Sequence, residues 1–168
     1  ATSTDAYLTL GAGTRAIAPQ VDTAVAVNAD ETYGGVPASE LLERRLGEVP
    51  PGLAYLAIGP AIDANEHSAF GAEVGSLGDR LADAGVDRAV VANADAVEGF
   101  VSDDPPPDGA YARGAATMLM GSDGIVPGGT VSRALLTDDR DAAFGWRLDR
   151  SKVVDAFVQT HWAEGVAD

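Results

Sequence analysis

The chain lacks cysteine and has few aromatic residues. Of its 168 residues, 46% are hydrophobic but only 6% are aromatic. The absence of cysteine excludes disulfide bonds and thiolate metal sites. No apolar run approaches the ~18 residues that a membrane-spanning helix needs, so membrane insertion is not expected. The scarcity of large rings predicts a core of small aliphatic side chains, chiefly alanine and valine.

Positive charge is also scarce. The chain has 11 lysine and arginine residues against 26 aspartate and glutamate residues, a formal net charge of −15. A surface of this sign repels nucleic-acid phosphates and anionic lipid headgroups, and it attracts divalent cations or basic partners. Nucleic acid is therefore not expected as a partner. The charge suits a protein kept soluble in a salty or extracellular setting, which favours an extracytoplasmic or cell-envelope location.

The apolar pattern predicts a single α/β domain over residues 1–168. Residues 53–58 and 88–92 are short apolar runs typical of buried strands, and residues 70–84 between them carry apolar side chains at helical spacing. Strand, helix and strand with short connections predict two adjacent parallel strands joined by a right-handed crossover. We therefore expect a three-layer α/β/α sandwich with a mostly parallel sheet.

The first candidate site lies in residues 3–17, which are predicted to form a capped helix. Gly11 and Gly13 each cost up to ~1 kcal/mol inside a helix, which indicates that something packs very close to the backbone there. A hydroxyl at a helix N-terminus faces free N–H groups that can hold a phosphoryl oxygen. The alternative is a purely structural cap. The residues that open this helix are Ser3, Thr4 and Asp5.

This segment resembles the nucleophile segment of the cofactor-independent phosphoglycerate mutases. In that family a serine begins a helix that runs into Asn-Ile-Gly-Ala-Gly-Arg. Here Gly11-Ala-Gly13 matches, whereas Thr9 and Leu10 replace Asn and Ile, and Thr14 precedes Arg15. Aligning the shared glycines puts Ser3 on the nucleophile. The resemblance implies catalytic roles for Ser3 and Thr4, and phosphate binding by Thr4, Asp5 and Arg15.

A second stretch extends the resemblance to the wider alkaline phosphatase superfamily, which includes sulfatases and phosphodiesterases. Residues 76–85, followed by 86–94, are similar to the helix-glycine-strand element that follows the nucleophile there, and more loosely to large exported actinobacterial proteins of this superfamily. The resemblance implies phosphoryl or sulfuryl transfer on a small anionic ester. It also implies divalent zinc, magnesium or manganese in a complete parent protein.

Ligands for those metals are too few in this chain. The superfamily implies an Asp shortly before the nucleophile and later Asp and His motifs, but there is no Asp-His dipeptide, and His67 and His161 are the only histidines. Asp63, Glu66 and His67 form one tight cluster, expected on a loop after a strand, which could hold a single metal or be merely solvated. We therefore expect a piece of a larger protein that is inactive as this chain, and no metal is assigned to it firmly.

Two alternatives remain open from the sequence. One is a non-catalytic binding or scaffolding domain that kept the fold and lost the metals. The other is a dinucleotide-binding oxidoreductase domain, because residues 11–16 match G-x-G-x-x-A and Asp30 follows at a distance suited to a ribose hydroxyl. That alternative requires a strand over residues 7–10. The backbone at Leu8 and Thr9, helical or extended, distinguishes it from the phosphatase-like hypothesis.

Overall fold

The computed structural model describes residues 2–21, 24–95, 112–142 and 145–162 as a mixed α/β fold. Its helices are α1 (Ser3–Ala12), α2 (Ala38–Leu46), α3 (Ile58–Glu66), α4 (Ser76–Asp83) and α5 (Arg150–Trp162), with 3-10 helices at Gly114–Met118 and Arg133–Leu135. Its strands are β1 (Ala26–Asn28), β2 (Thr32–Tyr33), β3 (Val36–Pro37), β4 (Leu53–Tyr55), β5 (Ala89–Val91), β6 (Ile125–Val126), β7 (Gly128–Thr130), β8 (Leu136–Asp138) and β9 (Trp146–Leu148). Within these ranges no helix has both the length and the apolar character to cross a bilayer.

The core is built on both faces of a small antiparallel sheet. Strand β4 lies between β1 and β6 and pairs antiparallel with both. Leu53 and Tyr55 face an apolar cluster that includes Leu8 of α1, whereas Ala54 between them faces a second cluster that includes Leu42 of α2. Because successive side chains of a strand point to opposite faces, β4 is apolar throughout.

The expected pairing of residues 53–58 with 88–92 is wrong. Strand β5 pairs in parallel with β7 and not with β4, and the other described pairs, β2 with β3 and β8 with β9, are antiparallel. The mixed α/β class is confirmed, but the described sheets are small and mostly antiparallel. A continuous apolar run reports burial on both faces, which is typical of parallel sheets, but here two apolar clusters cover both faces of the antiparallel strand β4.

Helix α4 is shorter than the sequence predicts. The predicted range is 70–84, but the helix begins at Ser76, and Phe70, the first residue of that range, is 49% exposed before it. The N-cap of α4 is Gly75, which has a φ of 91°. A Cβ there would lie 2.3 Å from the Ser122 backbone nitrogen. The helix therefore starts where only glycine tolerates both the left-handed backbone and the close neighbour.

Helix α1 confirms the predicted N-terminal helix over residues 3–12, although not to residue 17. Gly11 lies inside it, where an added Cβ would be 2.8 Å from the Met118 carbonyl oxygen. Gly13 ends the helix with a φ of 66° and has no atom within 4 Å of a built Cβ. The predicted close approach is thus confirmed at Gly11, where the neighbour is a 3-10 helix, and is wrong at Gly13.

Candidate functional site around helix α1

A capping box closes the N-terminus of α1. The Thr2 hydroxyl oxygen accepts a hydrogen bond from the Asp5 N–H at 3.2 Å, and the Asp5 carboxylate accepts one from the Thr2 N–H. Thr2 is therefore the capping residue, and Ser3 is the first residue of the helix. This arrangement leaves the N–H groups of Ser3 and Thr4 as first-turn donors without an intrahelical acceptor.

Ser3 and Thr4, the two predicted catalytic residues, differ in their surroundings. Ser3 is exposed, whereas Thr4 is half-buried against the start of the 3-10 helix at Gly114. A Cβ on Gly114 would lie 2.9 Å from the Thr4 hydroxyl oxygen and 3.1 Å from its Cα. Thr4 therefore packs against a neighbouring backbone, and Ser3 presents the more accessible hydroxyl.

The carboxylate of Asp5 holds two stretches of backbone together. Its Oδ1 accepts a hydrogen bond from the Ala18 N–H at 2.7 Å, and its Oδ2 accepts the one from Thr2. Partial burial opposes ionisation, but these hydrogen bonds outweigh it and lower the pKa of Asp5. An ionised carboxylate repels a phosphate group, so this geometry favours a structural role for Asp5 over the implied phosphate-binding role.

Residues 15–18 run back along α1 and are held by side chains. The Thr9 hydroxyl accepts a hydrogen bond from the Ala16 N–H at 3.1 Å and donates to the Ala16 carbonyl at 3.4 Å. The amide of Asn65, on α3, accepts from the Ile17 N–H at 2.9 Å and donates to the Ile17 carbonyl at 2.8 Å. This segment therefore has a fixed backbone without belonging to a helix or strand.

Arg15 borders a pocket of about 570 Å³ between α1 and this segment, with Leu10 and Ile17 in its walls and Asp5 among its lining residues. The guanidinium carbon of Arg15 lies 5.2 Å from the centre of the Phe70 ring. Ala16, the residue after Arg15, is hydrogen-bonded to Thr9. Thr9 lies six residues beyond Ser3 in α1, which is ~9 Å along the helix axis. Asp5 and Arg15 thus share a pocket, and Ser3 is not among its lining residues.

The metal-ligand candidates Asp63, Glu66 and His67 lie on α3 or directly after it, all exposed. The expected loop is therefore wrong, because the helix begins at Ile58, immediately after the β4 run. Among the described residues, no group of three His, Cys, Asp or Glu side chains is placed to hold a metal ion. The backbone of His161 lies in α5. The divalent metal stays a prediction that rests on the resemblance alone.

A buried charge cluster of Arg113, Asp95 and Glu31 lies between the carboxyl ends of β1 and β5. None of these residues was predicted from the sequence as part of a site. Arg113 directs its Nε to the Asp95 carboxylate at 2.8 Å and its two terminal nitrogens to Glu31 at 2.7 and 2.9 Å. The side chains of Arg113 and Asp95 are 1% and 0% exposed. Burial by itself lowers the pKa of Arg113, but the two carboxylates outweigh it and raise the pKa, so the arginine stays charged.

Neighbouring amides complete this cluster. The Asn93 amide donates to Asp95 at 2.9 Å and to the Val131 carbonyl, and the Asn93 side-chain oxygen accepts the Asp95 N–H at 2.8 Å. The remaining Asp95 oxygen accepts the Ala112 N–H at 2.9 Å. With its carboxylate oxygens occupied, the cluster is built to join chain segments and not to bind a ligand. The only sequence signal for it was Asn-Ala-Asp directly after an apolar strand.

The dinucleotide-binding alternative does not fit this geometry. Residues 7–10 are helical, including Leu8 and Thr9, where a strand is required before the glycines. Gly11 lies within the helix and not in a strand-to-helix turn. The strand that this alternative requires is therefore not formed, and the alternative is not retained.

Comparisons with known proteins found no relatives. No family profile matches the chain, and neither a curated protein nor a solved structure matches it significantly.

Proposed function

We propose that this chain is the segment of an alkaline-phosphatase-superfamily protein that carries the nucleophile helix, and that it is inactive without its flanking sequence. The observation that carries the proposal is the helical conformation of α1 through Leu8 and Thr9 to Gly11, with the exposed Ser3 in its first turn. The close approach of Gly11 to the neighbouring backbone supports the proposal at that glycine, whereas Gly13 has open space around it.

In this proposal the Ser3 hydroxyl loses its proton to solvent, and its oxygen attacks the phosphorus or sulfur atom of a small anionic ester. The bond from that atom to the alcohol oxygen of the ester breaks, the alcohol leaves, and water then hydrolyses the ester formed on Ser3. The N–H groups of Ser3 and Thr4 at the start of α1 would hold a non-bridging oxygen of that ester. Divalent metal, which lowers the pKa of such a hydroxyl and neutralises the ester, would be held by ligands outside this chain. We further infer that the parent completes a three-layer sandwich with a mostly parallel sheet, extended from the parallel pair of β5 and β7.

The second candidate is a non-catalytic binding or scaffolding domain. It is favoured by how the polar side chains of the described residues are used. Asp5 ties two backbone stretches together, and the Arg113 cluster joins three chain segments. A domain of this kind would keep Ser3 only as a surface residue, so the two candidates differ in whether the Ser3 hydroxyl matters.

Activity assays separate the two candidates. The isolated chain is expected to hydrolyse neither an activated aryl phosphate nor an aryl sulfate with zinc, magnesium or manganese. A longer chain that includes the flanking sequence of the parent is expected to show metal-dependent turnover. That turnover should be lost in Ser3→Ala and kept in Ser122→Ala, which removes another exposed serine hydroxyl.

Two other outcomes would contradict these expectations. Metal-dependent turnover by the isolated chain that disappears in Ser3→Ala would show that the chain is a complete enzyme. A folded longer chain without turnover, or one whose turnover survives Ser3→Ala, would favour the scaffolding candidate.

A further inference from the structure

The pocket between α1 and residues 15–17 is lined by apolar side chains and by the charged residues Asp5 and Arg15. Leu10 and Ile17 border it, although they are 59% and 45% exposed. Its volume of about 570 Å³ lies within the range of small-molecule sites. We propose that it binds a small organic anion with an apolar body, such as an aryl- or alkyl-carboxylate, with Arg15 as the ion partner. This proposal does not depend on the chemistry of Ser3.

The exposed wall of the pocket is held rigidly from the core. Ala16 and Ala18 are buried whereas Arg15 and Ile17 are exposed, which is the alternation of an extended segment. Asn65 is fully buried and hydrogen-bonds both backbone groups of Ile17. The apolar side chain therefore projects outward from a fixed backbone. A preorganised surface of this kind loses little conformational entropy when a ligand binds.

Arg15 and Asp5 are the charged residues that line the pocket, and Arg15 is the one whose charge is not already shared with backbone groups. Within the described residues Arg15 forms no ion pair, and its guanidinium lies over the Phe70 ring. Stacking engages the face of a guanidinium and leaves its edge N–H groups free for a carboxylate. Asp5 is the other charged lining residue, and both its oxygens accept backbone N–H groups. The net charge of −15 repels anions at long range, but salt screens that repulsion over about 8 Å at physiological ionic strength.

Three probes that share one apolar body test the proposal. Phenylbutyrate, phenylbutanol and phenylbutylamine are titrated into the full chain in about 0.15 M salt while amide chemical shifts are followed by NMR. We expect saturable shifts at Leu10, Ala16 and Ile17, with the carboxylate bound more tightly than the alcohol and the amine bound most weakly. Equal or tighter binding of the amine, or shifts that do not saturate at these residues, would overturn the proposal.

Variants then test whether Arg15 causes the preference for the carboxylate probe. Arg15→Gln is expected to weaken phenylbutyrate binding about two- to fivefold, to the level of the alcohol, because an exposed ion pair raises the affinity by about that factor. Arg15→Glu should reverse the order of carboxylate and amine. Ile17→Ser should weaken all three probes, and Arg44→Gln, an exposed arginine on α2, should change none. If Arg15→Gln keeps the advantage of the carboxylate, Arg15 is not the ion partner and the proposal is wrong.

Discussion

Gly11, Gly13 and Gly59 differ in what a side chain at each position would meet. Gly11→Ala is expected to lower the free energy of unfolding by about 1–3 kcal/mol, because the added methyl group meets two backbone carbonyl oxygens at 2.8 and 2.9 Å. Gly13→Ala should cost about 1–2 kcal/mol through its left-handed backbone, with no steric contribution. Gly59→Ala should be neutral or gain up to ~1 kcal/mol, because it lies in α3 with open space around it.

Urea unfolding of the three glycine variants measures these differences. Gly13→Asn should be milder than Gly13→Val, because asparagine tolerates the left-handed region and a β-branched side chain does not. Equal losses in Gly11→Ala and Gly59→Ala would contradict the close approach between α1 and the 3-10 helix.

The Tyr55 hydroxyl is buried without a hydrogen-bond partner among the described residues, and burial raises the pKa of Tyr55 to about 12. Because the folded pKa exceeds the unfolded value near 10, stability is fully present below pH 10 and is lost as the pH rises towards 12. Tyr55→Phe removes this loss. We expect the variant to match or exceed the wild type at neutral pH, with its advantage growing between about pH 10 and 12. A constant difference in urea midpoint across that range would contradict this assignment.

At the scale of elements, Asn65 connects α3 to residues 15–18. Asn65→Ala should cost about 1–3 kcal/mol, because it removes the hydrogen-bond partner of the part-buried Ile17 N–H and C=O groups. Hydrogen exchange adds a local test: the Ile17 amide should lose protection, whereas the Ala16 amide, bonded to Thr9, should lose less. Asp63→Ala, on the exposed side of the same helix, is the control and should change neither. Uniform loss of protection would indicate global destabilisation instead of a local clamp.

The sequence predicts the elements better than their arrangement. The capping residues and glycines of residues 3–17 act locally, so helix α1 could be predicted, although the left-handed Gly13 ends it early. The apolar run at residues 53–58 indicates a strand covered on both faces, which β4 confirms. Its antiparallel partners, β1 and β6, lie far from β4 in the sequence, so no local sequence pattern could identify them.

At the scale of the molecule, Arg113 joins segments that are distant in sequence. Its partners Asp95 and Glu31 lie 18 and 82 residues away, so sequence spacing could not predict the cluster. Arg113→Met should cost about 3–5 kcal/mol, because two largely buried carboxylates lose their counter-charge. Arg147→Met, which breaks an exposed pair with Asp139, should cost far less than Arg113→Met, because solvent screens the charges of an exposed pair.

Urea unfolding of the two arginine variants provides the measurement. Adding Asp95→Asn and Glu31→Gln to Arg113→Met should recover part of the loss, because the uncompensated charges are then gone. If Arg113→Met and Arg147→Met lose the same amount, the buried cluster does not stabilise the fold as described.

The contacts of Asp95 also bear on how this protein can change through evolution. One carboxylate accepts hydrogen bonds from the Ala112 N–H, the Arg113 side chain and the Asn93 amide. Exchange of Asp95 for another residue would therefore remove three contacts at once, and each of the three donors would lose a buried acceptor. Homologous chains should accordingly keep Asp95, whereas an exposed acidic residue such as Asp63 should vary freely.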